Sequence, residues 1–194
     1  MKLNVKIIGC LMLFLLVGIY CSPLKKVLNR KDIKFLNKIV DSMYTVDQDI
    51  RNAIWDIDSI YKVDKKSNNG QYQLNFMKKK KLGERYNQYK KSVDSVYNEM
   101  RKIDDSNTNK LLQLTKKYGF PSQERLKAKR ASAYLLFVHS PRSYFDEIKA
   151  LLSSEYKANR ISEYEKAYIF WHINDRIGFP PKLAKNGRVI YNKK

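Results

Sequence analysis

Asp47, Arg51, His139, Asp175 and Arg176 are the side chains whose types could do chemistry together. A histidine base, two carboxylates and two fixed cations suffice for general acid–base work or for holding an anionic ligand. Asp47 is the most informative of them because of its surroundings. Leu36, Val40, Met43, Asp47, Ile50, Ile54, Ile57 and Tyr61 follow one another at steps of four and three, the spacing that keeps every position on one helical face. Asp47 is therefore predicted to point inward from an otherwise apolar stripe. Arg51 stands one turn later as an i, i+4 partner, and Gln48 adds an amide beside the pair. A carboxylate taken out of water is costly unless it is paired, so this cluster is either a structural polar network or a site.

The same device recurs near the C-terminus, where Tyr164, Tyr168, Trp171 and Asp175 share a helical face and Arg176 follows. Two inward carboxylates on separate stripes are best satisfied by sharing the available donors. The expectation is one polar centre in which Asp47, Gln48 and Arg51 meet His139 and the Asp175–Arg176 pair, with the first helix packed beside the last. Three uses of such a centre stand side by side. It fixes helix register in a polar layer of the core, it binds an anion or other ligand, or it works as a hydrolase with His139, Asp47 and Asp175 as catalytic candidates. No nucleophilic serine motif, glycine-rich phosphate loop or zinc spacing is present, and neither a metal nor a cofactor is expected.

The elements that must position these residues read as helices almost throughout. A first helix is predicted from near Lys31–Asp32 to about Tyr61, then a loop over Lys62 to Gln73 with a turn at Ser67-Asn68-Asn69-Gly70. A second helix opens at the basic run Lys78 to Lys81 and carries the seam Leu82, Tyr86, Tyr89, Val93, Val96, Met100 and Ile103, so the two can pack as an antiparallel pair. Asp104-Asp105-Ser106-Asn107 reads as a cap opening a short helix that Gly119 and Pro121 end. Leu126 to Val138 reads as a further helix closed by His139, although Tyr134 to Val138 would also suit a buried strand. Ser140-Pro141 is predicted to start a helix with Tyr144, Phe145, Ile148, Leu151, Leu152 and Tyr156 on its apolar side. Ser162 and Glu165 form a capping box for the last one. The predicted fold is a single all-α, bundle-like domain of five to six helices over residues 32 to 181, with a basic tail at 182 to 194.

Composition sets the context. The chain has 194 residues, long enough for one domain with a real core, and few glycines or prolines. Its 39 Lys and Arg against 19 Asp and Glu give a formal charge of +20, which attracts polyanions. Residues 1 to 24 read as a signal peptide or membrane anchor: Lys2 and Lys6 precede the uncharged run Ile7 to Cys21, and Ser22-Pro23 breaks it. Cys21 is a lipidation candidate, although Tyr20 stands where a lipoprotein signal has a small residue. Lipidation, an uncleaved anchor and a cleaved signal all stay open. Cys10 and Cys21 are the only cysteines, so a disulfide framework or a cysteine metal site in the folded part is excluded. The localisation expected is the cell envelope, extracytoplasmic and membrane-anchored.

Four motifs in order resemble a bacterial domain family of unknown function found mostly in exported proteins. They are Asp47-Gln48-x-x-Arg51, then Asp105-x-Asn107-Thr108 leading to Tyr118-Gly119-Phe120-Pro121, then Val138-His139, and Asn174-Asp175-Arg176. The resemblance covers about residues 36 to 181 and implies an exported protein with these residues in common, but no reaction. The family's Gln-x-Tyr-Gly-Thr segment after the Asp–Arg pair is replaced here by Gly178-Phe179-Pro180-Pro181-Lys182. The candidate binding set is thus Asp47, Gln48, Arg51, Asn107, His139, Asp175 and Arg176. The function expected is an envelope-associated helical domain that binds an anionic ligand, an anionic membrane surface or polyanion, or a protein partner. An exported hydrolase and a nucleic-acid binder are the alternatives, the latter opposed by the export segment and by the lack of any recognition motif.

Overall fold

The computed structural model describes residues 26–63, 78–128, 132–184 and 188–191. The leader and most of the loop read from Lys62 to Gln73 lie outside the described residues. Six bounded helices carry the described chain: α1 (Arg30–Ile60), α2 (Tyr86–Tyr118), α3 (Gln123–Leu126), α4 (Ala133–Val138), α5 (Phe145–Lys157) and α6 (Glu163–Ile173). Residues 78 to 82 are also helical, and a two-residue antiparallel pair, β1 (Lys182–Leu183) with β2 (Val189–Ile190), follows α6. The all-α fold read from the apolar seams is the one the chain adopts.

Helix α1 begins where its caps dictate. Asn29 accepts the backbone N–H groups of Lys31 and Asp32, and the Asp32 carboxylate accepts that of Asn29, which satisfies donors that a helix start leaves orphaned. Its seam is buried at Leu36, Val40, Met43 and Asp47 and half-buried at Ile50, Ile54, Ile57 and Tyr61. The change along the seam has a packing cause. Leu36, Val40 and Met43 belong to the main core that α1 shares with α2, α3 and α4, whereas Ile57 and Tyr61 pack on a separate small cluster of Val63, Leu82 and Tyr89. The antiparallel pairing is explicit in Phe35 against Tyr118, Asn107 against Met43, Arg51 against Asp104 and Tyr89 against Asp58. At 1.5 Å per residue the two helices run about 46 and 50 Å, so their far halves form an arm reaching beyond the helical body. A small satellite cluster of Val63, Leu82 and Tyr89, with Tyr61 packed edge-on against Tyr89, stabilises the tip.

Three element boundaries differ from the sequence reading. The cap-like run Asp104 to Asn107 starts no new helix; α2 passes through it as one helix of 33 residues. Capping residues break a helix only when their side chains turn back onto the local backbone. Here Asn107 is buried and donates to the Met43 carbonyl of α1 at 3.3 Å, while the Asp104 carboxylate accepts from Arg51 of α1 at 2.7 Å. Leu126 to Val138 is two short helices, because Lys127 takes a left-handed conformation (φ 51°) that ends α3. After Ser140-Pro141 comes a 3-10 turn, Arg142–Tyr144, and α5 starts only at Phe145. The Ser140 hydroxyl, expected as a cap, is engaged with that of Thr108 at 3.0 Å.

The main core joins all six helices around Leu36, Leu111, Phe120, Phe137, Ile148, Leu152 and Ile169, each with no exposed area. The rings of Phe120 and Phe137 stack with centroids 6.0 Å apart. Inside this core the Thr115 hydroxyl finds no hydrogen-bond partner among the described residues. Thr115→Val keeps the shape and removes that desolvated group, so it is expected to raise stability by about 1 kcal/mol. Urea denaturation reads this directly, and a loss of stability instead would show that the hydroxyl is engaged.

Candidate functional site

The Asp47 centre forms where α1, α2 and the end of α4 converge. Asp47 is 1% exposed, and its carboxylate is saturated. Arg51 Nη1 forms an ion pair with Oδ1 at 2.9 Å while donating to the Asp47 backbone carbonyl at 3.0 Å; Oδ1 also accepts from His139 Nδ1 at 2.9 Å, and Oδ2 accepts from Gln48 Nε2 at 2.7 Å. Those contacts fix the proton of His139 on Nδ1, since a carboxylate only accepts. Arg51 completes a bridge between helices by donating through Nη2 to Asp104 Oδ1 at 2.7 Å. Burial pushes the Asp104 carboxyl above its usual range, and the hydrogen bond and charge of Arg51 offset only part of this.

Asp47, Gln48, Arg51 and His139 therefore meet as expected, and Asn107 lies close by on α2. Asp175 and Arg176 do not join them. Helix α6 ends at Ile173, with Asn174 as its cap, and both Asp175 and Arg176 take positive φ of 59° and 57°. A face extrapolated from helical spacing does not continue through such a turn. Asp175 is exposed and pairs with Arg142, while Arg176 donates to the ring of His172 at 3.2 Å. Burial and the neighbouring Arg176 charge lower His172 to about 4, which keeps that ring neutral and able to accept. The expected contact of the first helix with the last is also corrected: α1 packs on α2, α3 and α4, and α6 packs chiefly on α4 and α5. The buried face of α6 is Glu165, Ile169 and Ile173 rather than the tyrosine stripe.

Asp104 was not among the expected members, because its cap-like neighbours disguised it. Its signal was the seam itself, which continues from Met100 and Ile103 through Asn107 to Leu111 at helical steps. Asp47, Asp104 and His139 place potential ligand atoms within 4.8 Å of one another, a donor set that a divalent cation could use in principle. The Arg51 guanidinium already lies between the two carboxylates, so the cationic position is filled by the protein. The geometry therefore fits a register-fixing ion network better than a metal centre or a substrate site.

A second buried centre was missed altogether. Glu155 is 2% exposed and holds Arg160 through two hydrogen bonds, at 2.7 and 2.8 Å, while also accepting the Phe120 N–H at 2.8 Å. Arg125 clamps the same turn through the Phe120 and Tyr118 carbonyls at 2.6 and 2.9 Å. Gly119 sits between these side chains with φ 80°, and a Cβ there would come within 2.6 Å of Arg160. The Tyr118-Gly119-Phe120-Pro121 run thus has a packing reason for its composition. Glu165 adds a third inward carboxylate, closing the capping box with Ser162 and accepting the Gln123 N–H at 3.4 Å.

The described part of the basic tail folds back on itself and onto the start of α6. Lys182 pairs with Ile190 and Leu183 with Val189, and the Tyr191 hydroxyl returns to Glu163 at 3.4 Å. Among the described residues no helix is long and apolar enough to cross a membrane. No family model matches the chain, and neither the curated proteins nor the solved structures contain a match to it.

Proposed function

We propose that the chain is an extracytoplasmic binding domain, held at the cell envelope by its leader, that engages anionic membrane or polymer surfaces through its basic exterior. The observation that carries this reading is the charge of +20. Its cations stand outside: Lys34 and Lys38 on α1 and Lys110 and Lys117 on α2 are all exposed. The Asp47 centre has the complementary role of fixing the helices that present this surface. Lys2, Lys6, the uncharged run to Cys21 and Cys21 itself support the envelope placement.

The test is co-sedimentation of a chain lacking residues 1 to 24 with phosphatidylcholine vesicles and with vesicles that also contain phosphatidylglycerol. The deletion removes only Lys2 and Lys6 from the cations and no acid. Binding is expected for the anionic vesicles at low salt and should fall steeply as salt rises, because exposed charges are screened beyond roughly 8 Å at physiological ionic strength. Equal sedimentation with neutral and anionic vesicles at low salt would remove the reading.

A further inference from the structure

The segment after α6 leaves an unusual set of side chains in solvent. Ile177, Phe179, Leu183 and Tyr191 are 78%, 55%, 57% and 59% exposed. Single exposed apolar side chains are ordinary, but these four fall within one stretch of fifteen positions, and Ile177, Phe179 and Tyr191 line a cleft of about 460 Å³ together with Phe170 and Trp171. The sequence from Arg176 to Lys194 also contains Arg176, Lys182, Lys185, Arg188, Lys193 and Lys194 and no acid. Exposed aromatic and aliphatic groups interleaved with lysine and arginine suit a membrane interface, where the apolar parts enter the acyl boundary and the cations meet lipid phosphates.

The entry of the chain points the same way. Lys26, Val27 and Leu28 line a groove that shares Tyr156 and Glu163 with that cleft. Residue 26 is held there: its carbonyl accepts from Arg125 at 2.7 Å, and its ammonium reaches the carbonyls ending α2. Five residues span at most about 18 Å, so an anchor at Cys21 would hold this side of the body close to the bilayer.

From these observations we infer that the segment carrying Ile177, Phe179, Leu183, Ile190 and Tyr191 inserts into the headgroup boundary of an anionic membrane. The inference rests on the binding reading above and names its contact face and occupant. A soluble polyanion would answer the cations but leave the apolar side chains wet. A second copy would cover the apolar side chains but bring two strongly cationic molecules together. An anionic bilayer satisfies both.

The experiment uses the full chain with Cys10→Ser, Cys21→Ser and Leu183→Cys, spin-labelled at residue 183 and reconstituted through its leader. Val46→Cys in place of Leu183→Cys is the control, at a half-exposed position on α1. In vesicles containing phosphatidylglycerol, the 183 label is expected to gain accessibility to oxygen and lose it to a water-soluble nickel complex. In phosphatidylcholine alone it should match the control, and adding Lys182→Glu should return it toward water in the anionic vesicles. A 183 label as water-exposed as the control in both lipids would overturn the inference. So would equal immersion in both lipids, or dipolar broadening between labels that ignores lipid charge. Salt-dependent sedimentation of the leaderless chain is read separately, so the insertion can fail while the binding reading stands.

Discussion

Glu155→Gln is expected to destabilise the domain by about 3 to 5 kcal/mol, the range for removing one partner of a buried ion pair. The substitution keeps the volume and can still accept the Phe120 N–H, but it leaves the 7%-exposed Arg160 guanidinium without a counter-charge. The loss propagates because Arg160 packs against Gly119 and so supports the turn that joins α2 to α3. Burial pushes the Glu155 carboxyl up, but the Arg160 hydrogen bonds, the Phe120 N–H and the nearby positive charges outweigh it, and the net shift is downward. A carboxyl with a lowered folded pKa contributes stability that is fully present above its unfolded value of 4.5 and is lost as pH falls through the folded value. Urea denaturation between pH 7 and pH 3 should therefore show an acid-labile contribution in the native chain that the variant lacks. A loss below about 1 kcal/mol at pH 7 would mean that the pair is no better than an exposed one.

Much of this fold was legible because seams and caps are local. The α1 seam and the two-sided capping at Ser162 and Glu165 follow from spacing alone, and the structure contains both. The rule that singled out Asp47, a carboxylate on an apolar stripe, applies equally to Glu155 after Ile148 and Leu152, and to Glu165 before Ile169 and Ile173. The stripes read from spacing instead include Tyr156 on α5 and place the carboxylate Asp175 on that of α6, and both residues are exposed. Aromatic side chains caused that misreading. Tyr164, Tyr168 and Trp171 pack chiefly on one another and on Tyr134 in a half-buried ring cluster, so their periodicity marks a boundary rather than the core. The continuity of α2 could not be read locally at all. It depends on Met43 and Arg51, more than fifty residues away, giving Asn107 and Asp104 better partners than their own backbone.

Asp47→Asn is expected to cost about 1 to 3 kcal/mol, because it disrupts a buried hydrogen-bonded group without creating a cavity. The carboxylate accepts on both oxygens, from His139 on one and from Gln48 on the other, and pairs with the Arg51 guanidinium. An amide has only one acceptor, so its NH₂ must face a donor whichever way it turns. The variant also removes the negative charge that balances Arg51 at the junction where α1 and α2 leave the body. The measurement pairs denaturation with vesicle sedimentation of the leaderless chain. A network that only fixes helix register predicts lost stability, faster amide exchange along the arm, and unchanged binding by the molecules that remain folded. A ligand site predicts the reverse: stability kept or improved, with binding lost, since residues placed for function are often suboptimal for the fold. The saturated geometry of Asp47 makes the first result the expected one.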